Sequence, residues 1–230
     1  MVHELDWWQH QDFSVGDFGF TTSEGVSEDI LLRFTCVPAQ HNSGRGALDQ
    51  NTTLWCGWVV EQLLVSKDEV EVLKIKRKGA VYHAGDTGYR RSPKSTAICP
   101  VFKEIGQKFG PFDLSFIPIW RGGSLGFISS LGLRLSHQEI PSALHATPAD
   151  AIDIHKDILS RNTVAIHFGT FVGSKNESLE TIMEFEEVCQ TRDVLRLDNR
   201  NTDKRDRAGI VDIGDSLAVQ IDVHYVNSHT

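Results

Sequence analysis

Apolar and polar positions alternate differently in the two halves of the chain. In the first half, the mostly apolar run at residues 30–37 predicts a strand covered on both faces, and residues 54–60 predict the next strand. Residues 69–75 alternate polar and apolar side chains, which is typical of a strand with one wet face. The basic residues 76–79 indicate a turn, and residues 80–83 a further strand. This half is therefore expected to be a β-meander.

The second half predicts helices alternating with strands. Residues 101–109 place apolar side chains on one helical face, between a proline that suits the first turn and a glycine that suits the stop. Residues 113–119 predict a buried strand. Thr147 is typical of a helix cap, because proline and an acid follow it in the first turn. The inner stripe of that helix is Ala151, Ile154 and Ile158, with His155 beside it and half exposed.

The remaining segments are less regular. Residues 120–146 are rich in glycine and serine and predict a long loop, which is typical of a lid, a binding loop or an insertion. Ser178 is expected to start a helix whose apolar side carries Leu179, Ile182, Met183 and Cys189. Residues 198–207 predict a polar loop, and a short terminal strand is expected within residues 210–219.

Composition narrows the class of protein. The chain has 230 residues, 40% of them hydrophobic, which suits a globular protein with a sizeable core. A net charge of -8 argues against binding nucleic acid through a basic face. The four cysteines are scattered, so we expect reduced thiols and an intracellular compartment. No apolar run is long enough to span a membrane, and the first residues do not resemble a signal peptide.

A carboxylate between two glycines follows the strand at residues 80–83. Gly85 and Gly88 permit a sharp turn, which would leave Asp86 at a strand end. Asp86 bonded to its own turn is the alternative interpretation. His41 and His167 also follow apolar runs, and for them the alternatives are a loop histidine bonded to backbone and a core histidine. His83 is expected to be a packed or supporting residue, because its side chain points away from the face of its neighbour.

Two histidines and an aspartate at strand ends suit zinc and similar divalent ions. A carboxylate between two such ions can bridge them. Paired metals stabilise both oxygens in an in-line displacement at phosphorus. The hypothesis that follows is hydrolysis of a phosphodiester or another ester.

Several stretches, in this order, resemble the N-acylphosphatidylethanolamine-hydrolysing phospholipase D family of the metallo-β-lactamase superfamily. The match runs from about Leu5 to about His167 and is looser beyond. The stretches that carry it are Pro38-Ala39-Gln40-His41, Leu54-Trp55, Ala84-Gly85-Asp86-Thr87-Gly88-Tyr89, Phe109-Gly110-Pro111-Phe112-Asp113-Leu114, Ile117-Pro118-Ile119 and Ala165-Ile166-His167-Phe168-Gly169-Thr170-Phe171.

The resemblance implies an α/β fold, a four-layer αβ/βα sandwich, of which residues 1–230 form one partial domain and residues 198–230 a loosely matching extension. It implies two zinc ions, with His41 on one, Asp86 bridging both as the catalytic carboxylate, and His167 on the other. His145 matches a histidine that contacts the phospholipid. The implied reaction converts N-acylphosphatidylethanolamine to N-acylethanolamine and phosphatidic acid. A peripheral membrane surface, a mitochondrial location and a homodimer are left open.

The chain departs from the superfamily in one respect: it contains no His-x-His-x-Asp-His stretch. Three protein ligands divided over two metals are fewer than the usual three per catalytic zinc. The first sheet of the sandwich is also mostly missing. The chain is therefore either the C-terminal half of an enzyme or an inactive scaffold or interaction module of the same fold. Another phosphoester or a lactone as substrate is a third interpretation.

Overall fold

One mixed sheet organises the part of the chain that the structure, a computed structural model, describes. That part comprises residues 2–19, 29–43, 48, 51, 55–67, 73–91, 95–120, 145–169, 175–197 and 206–221. Its elements are β1 (His10–Ser14), a 3-10 turn (Val15–Phe18), β2 (Asp29–Pro38), β3 (Cys56–Lys67), β4 (Leu73–His83), α1 (Val101–Phe109), β5 (Leu114–Pro118), α2 (Pro148–Asp157), β6 (Asn162–Ile166), α3 (Lys175–Thr191), β7 (Leu195–Arg196) and β8 (Arg207–Gly209).

The eight strands are ordered β1-β2-β3-β4-β5-β6-β8-β7. Strands β1 to β4 pair in antiparallel fashion, as a meander does, and the pairs from β4 to β7 are parallel. Since β2 and β4 both lie antiparallel to β3, they run in one direction, and β5 and β6 share it. The C-terminal ends of β2, β4, β5 and β6 therefore meet at one edge of the sheet, which we call the carboxyl edge.

The main core lies between this sheet and the helices. It contains, among other side chains, Val37, Val59, Tyr82, Phe102, Ile105, Ile117, Ile154 and Phe185. The opposite face of the sheet carries the half-buried Leu32, Val60 and Val81. Ile221 packs on this face against Gly79. A Cβ placed on Gly79 would lie 3.1 Å from Ile221 Cγ2. The predicted α/β class is confirmed, and the described residues supply one sheet and one helical layer.

Local signals placed the first two helices correctly. Helix α1 has the predicted bounds, and it buries Phe102 and Ile105. Helix α2 begins at a capping box, in which Thr147 Oγ1 accepts the Asp150 N–H at 2.9 Å and the Asp150 carboxylate accepts the Thr147 N–H. The two helices cross closely at Gly106, where a Cβ would lie 2.2 Å from the Asp157 carbonyl oxygen.

The predicted basic turn at residues 76–79 is wrong. These residues lie inside β4, one long strand whose pairing shifts register opposite Gln62 and Leu63. Arg77 is buried, and its guanidinium donates to the carbonyls of Phe109 and Pro111 and approaches Glu61 Oε1 at 3.5 Å. Arg77, which the sequence predicts in a turn, is therefore a buried cation paired with the buried Glu61 carboxylate.

His155 also differs from expectation, because it is fully buried. Its position is four residues after Ala151, which puts both on the inner face of α2. Its Nδ1 lies 2.7 Å from Thr163 Oγ1, in a buried chain of hydroxyls that continues to Ser115 and Ser160. Burial lowers the pKa of His155 to about 4, so the ring is neutral near neutral pH.

The C-terminal elements are shifted from their predicted places. Helix α3 begins at Lys175 rather than Ser178, and it buries Phe185 and Cys189 while Leu179 and Met183 are exposed. Met183 and Phe185 are roughly 200° apart around the helix axis, so they cannot share a face. The last strand in the described part of the chain is β8, and residues 210–221 contain no strand.

Some expectations concern residues that the structure does not describe. The loop prediction for residues 120–146 falls almost entirely there, since the description stops at residue 120 and resumes at residue 145. Most of the polar loop predicted at residues 198–207 also lies outside the described residues.

Arg77→Ala is expected to lower the free energy of unfolding by about 3–5 kcal/mol, because it leaves the Glu61 carboxylate buried without its cation. Arg33→Ala is the matched control, since the Arg33–Asp12 pair is part-buried and the loss there should stay below about 1 kcal/mol. Urea unfolding measures both variants. Equal losses would contradict a specific internal role for Arg77.

Stability should fall as the pH drops towards the lowered pKa of His155. Between about pH 6.5 and the folded value, the unfolded chain binds a proton that the folded chain does not. This contribution is therefore fully present above about pH 6.5 and is lost on acidification, amounting to about 2–3 kcal/mol between about pH 7 and about pH 4.5. Urea unfolding at the two pH values should show a smaller loss in His155→Gln, and an equal loss would refute the assignment.

Candidate metal site

The loop after β2 presents one nitrogen of His41. Its Nδ1 lies 2.6 Å from the Asn42 carbonyl oxygen, and since a carbonyl only accepts, Nδ1 carries the proton. Its Nε2 is buried and has no hydrogen-bond partner in the part of the chain described. An outer hydrogen bond on one ring nitrogen and a lone pair on the other is the arrangement found in metal-bound histidines.

The turn after β4 presents the Asp86 carboxylate. Gly85 adopts a left-handed φ of +64°, and a Cβ there would lie 2.8 Å from the Cys56 carbonyl oxygen, so only glycine fits without displacement. His83 supports the turn, because its Nδ1 accepts the Gly85 N–H at 3.0 Å. The Asp86 side chain is 54% exposed, and its Oδ1 lies 3.3 Å from His167 Nε2. The carboxylate thus faces the end of β6, two strands away in the sheet.

Thr87 connects three segments of the site. Its hydroxyl accepts the Gln40 N–H at 2.9 Å and donates to the Gly88 carbonyl, and Gly88 N–H in turn donates to the Gln40 carbonyl at 2.7 Å. Its own carbonyl accepts the Ala146 N–H at 2.7 Å. Thr87 is completely buried. The residues next to His41 and His145 are therefore bonded to the residue next to Asp86.

His167 completes the cluster from β6. It follows the strand with a φ of +58°, a left-handed conformation that is uncommon outside glycine. Its ring centroid lies 4.8 Å from that of His145, and the His145 ring lies 5.2 Å from that of His41. Trp120, which follows β5, stands 6.3 Å from the His167 ring. All four sequence-predicted site residues thus lie together at the carboxyl edge.

The donor set fits a divalent metal ion. One potential ligand atom each from His41, Asp86 and His145 lies within 4.8 Å of the others. Imidazole nitrogen and carboxylate oxygen are ligands that zinc accepts. The buried, unpartnered Nε2 of His41 supports the fit, because a buried polar atom without a partner is costly.

A second set of contacts ties the Asp86 turn to α2. Tyr89 Oη donates to Asp157 at 2.7 Å, and burial raises the pKa of that phenol above its ordinary value. The Arg90 guanidinium lies 3.2 Å from Asp150 Oδ1 and 2.7 Å from Asp153 Oδ2. Helix α2 starts just after His145. The contacts of Tyr89 and Arg90 therefore hold the Asp86 turn against the helix that follows His145.

Sequence reasoning missed the residues that connect the ligand candidates. Thr87 stands between Asp86 and Gly88 and gave only a weak signal, because a threonine in a turn is usually solvated. The position of Trp120 beside the His167 ring gave no signal in the sequence. The interpretation of His83 as a supporting residue agrees with its bond to Gly85, although its side chain is exposed.

Comparison with known proteins gives consistent matches. The family described as "Beta-lactamase superfamily domain" matches residues 1–168. N-acyl-phosphatidylethanolamine-hydrolyzing phospholipase D 1 of Caenorhabditis elegans is 31% identical over 197 residues, which cover 85% of this chain and 42% of that protein. The mitochondrial N-acyl-phosphatidylethanolamine-hydrolyzing phospholipase D of Saccharomyces cerevisiae is 25% identical over 189 residues, covering 82% and 31%.

A solved structure is also similar. Igni18, a metallo hydrolase from Ignicoccus hospitalis, aligns with 85% of this chain and 54% of its own, at 16% identity and a TM-score of 0.38. The chain spans less than half the length of the two curated relatives named above.

Thr87→Val is expected to loosen the site, because it removes the acceptor of the Gln40 N–H in a fully buried position. The free energy of unfolding should fall by about 1–3 kcal/mol. Amide hydrogen exchange at Gln40 should become faster. Thr87→Ser, which keeps the hydroxyl, is the matched control and should retain slow exchange. Unchanged exchange in Thr87→Val would refute the connecting role of this hydroxyl.

Proposed function

Since the chain belongs to the family of the beta-lactamase superfamily domain and has its α/β fold, we propose that it supplies part of the active site of a metal-dependent hydrolase. In this proposal His41 is a ligand of one zinc ion, Asp86 is the carboxylate shared by two, and His167 is a ligand of the second. His145 contacts the substrate. The observation that carries the proposal is the meeting of these four side chains at the carboxyl edge.

The proposed chemistry divides between the ions and the side chains. Zinc, when bound, lowers the pKa of water and stabilises negative charge on phosphoryl oxygens. His41 Nε2 can give its lone pair to an ion without losing a hydrogen bond, because it makes none among the described residues. Its Nδ1 keeps its bond to the Asn42 carbonyl. Asp86 adds the negative charge that offsets the cations. His145 lies between the rings of His41 and His167, where its ring can orient a phosphate group.

The substrate proposed is N-acylphosphatidylethanolamine, cleaved at the phosphodiester to N-acylethanolamine and phosphatidic acid. The names of the nematode and yeast relatives support it. A lipid substrate also suggests contact with a membrane surface, and the yeast name suggests a mitochondrial location. None of the described helices has the length and apolar character needed to cross a membrane.

The ligand set that this chain offers is partial. It contains no His-x-His-x-Asp-His stretch, and a catalytic zinc usually takes three protein ligands. We therefore propose that the remaining ligands of the two ions come from protein residues other than these 230.

The missing motif also favours a second candidate. In this alternative the chain is a non-catalytic scaffold or interaction module with the same fold, and the clustered histidines are remnants. Such a module should unfold cooperatively and at the same urea concentration with or without a chelator. A change in the midpoint when chelator is added would contradict it.

Zinc content separates the two candidates. After dialysis, the purified chain should retain zinc in near-stoichiometric amounts by elemental analysis, because the proposed ligands His41, Asp86 and His167 lie together at the carboxyl edge. Asp86→Ala should lose it, since the shared carboxylate is gone. Asp212→Ala, which removes an exposed carboxylate that is not part of the cluster, should retain it. A wild-type chain without zinc would contradict metal binding by this chain alone and would favour the non-catalytic module.

A further inference from the structure

The face of the sheet that points away from the helices, which we call the outward face, is apolar across four strands. The pairing register aligns one row of half-buried apolar side chains over β2, β3, β4 and β5, which consists of Phe34, Val60, Val81 and Leu114. The next row consists of Leu32, Gln62 and Gly79. Neither row contains a charged side chain. An apolar sheet face of this kind is usually buried against a further layer.

Residues 217–221 lie over the outward face without joining the sheet. In the strand order β6 and β5 separate β8 from β4, yet Ile221 packs on Gly79 in β4. The segment after β8 therefore crosses the strands, because none of its described residues belongs to a strand. Half-buried Leu217 and Val219 alternate with exposed residues along it. This period of two directs apolar side chains towards the sheet.

Gly79 leaves the room that this segment needs. A Cβ there would lie 3.1 Å from Ile221 Cγ2 and 3.4 Å from its Cδ1. Gly79 lies inside β4 and does not adopt a left-handed φ, so no turn requires a glycine at this position. A glycine inside a strand weakens it and often marks a close approach by another chain segment. Its place in the outward face therefore fits contact with Ile221.

The contact between the segment and the sheet is incompletely packed. A cavity of about 210 Å³ remains there, and its lining includes Leu32, Val60, Val81, Leu114, Val219 and Ile221. The exposed fraction of Ile221 is 51%. Protein interiors contain few voids larger than a water molecule, because the atoms that line a void lose contacts. A layer that filled this space would therefore pack on the outward face better than residues 217–221 do.

We propose that residues 217–221 are an intramolecular cover of the outward face, and that the uncovered face associates with the same face of a second copy. A second copy fits because both rows lack charge, and two apolar sheet faces pack about 10 Å apart. Such a contact is isologous, so one surface supplies both sides. The cover and the second copy exclude each other, since they occupy the same place. This inference does not depend on a metal ion.

The first test removes the cover in the full chain. Val219→Asp combined with Ile221→Asp places two carboxylates against the apolar rows, where burial of an unpaired charge is costly. The fluorescence of anilinonaphthalene sulfonate, a dye that binds exposed apolar surface, should rise several-fold. Sedimentation velocity should show concentration-dependent dimers. Ile213→Asp is the matched control, because Ile213 is fully exposed, and it should behave as the wild-type chain does.

A disulfide makes the opposite change and keeps the result interpretable if the charged variant does not fold. A Cβ on Gly79 would lie 3.1 Å from Ile221 Cγ2, 3.4 Å from Ile221 Cδ1 and 3.5 Å from Asp113 Oδ2, its three nearest atoms. Ile221 Cβ is farther away than these atoms but only one bond from Cγ2. The two Cβ atoms would therefore be roughly 3.5–4.6 Å apart, which suits a disulfide.

Gly79→Cys combined with Ile221→Cys should form this bond by exchange with oxidised glutathione, which accepts the two electrons and is released as two thiols. The locked chain should remain monomeric and bind no more dye than the wild-type chain. Reduction by dithiothreitol is the control within the same molecule, and it should increase dye binding, because the cover is then free and lacks the Ile221 side chain.

A labelled peptide with the sequence of residues 215–221 measures displacement of the cover. It should bind the charged double variant, and it should bind the wild-type chain at least about 10-fold more weakly, because a tethered segment competes at a high effective concentration. It should not bind the locked chain. The same peptide with Val219→Asp is the control and should bind none of the three.

Three results would each overturn the inference. The first is a folded charged variant that stays monomeric with unchanged dye fluorescence. The second is a locked chain that dimerises. The third is a peptide that binds the wild-type and locked chains equally, since it would then bind at another place.

Discussion

The buried Thr87 hydroxyl is the interaction on which the arrangement at the carboxyl edge depends. It accepts a backbone N–H from the His41 loop and donates within its own turn, while the Thr87 carbonyl holds the segment of His145. A loop normally lies in water and satisfies its backbone groups there. Here the backbone groups of three loops hydrogen-bond to one another through Thr87, which is completely buried between them. The candidate ligand side chains are therefore fixed by the backbone beside them.

The sheet determines which loops can meet in this way. A meander places alternate strands in opposite directions, so β2 and β4 end on the same side while β3 ends on the other. The change to parallel pairing at β4 keeps β5 and β6 in the direction of β4. Ligands in open α/β sheets bind beyond the carboxyl ends of strands for this reason. The candidate site is thus a product of strand direction as well as of residue type.

The sequence predicted features that depend on neighbours in the chain and failed where distant contacts decide. The cap at Thr147 and the bounds of α1 follow from residues within one or two helical turns, and they were correct. Arg77 was misassigned because its partners, Glu61 and the carbonyls at the C-terminal end of α1, are remote in sequence. His155 was predicted to be half exposed for a similar reason, since its partner Thr163 belongs to the following strand. The clustering of His41, Asp86 and His167 was anticipated from strand ends, but the role of Thr87 required the fold.

The contacts of Tyr89 and Arg90 with helix α2 have a consequence for how the protein opens. They join the Asp86 turn to the helix that follows His145, while Thr87 joins it to the His41 loop. Segments connected in this way behave as one cooperative unit of local unfolding. Fraying of α2 would release the candidate ligand side chains together, and an ion bound among them would oppose that fraying. Sensitivity of residues 145–157 to proteases therefore becomes a measure of whether the edge of the sheet is occupied.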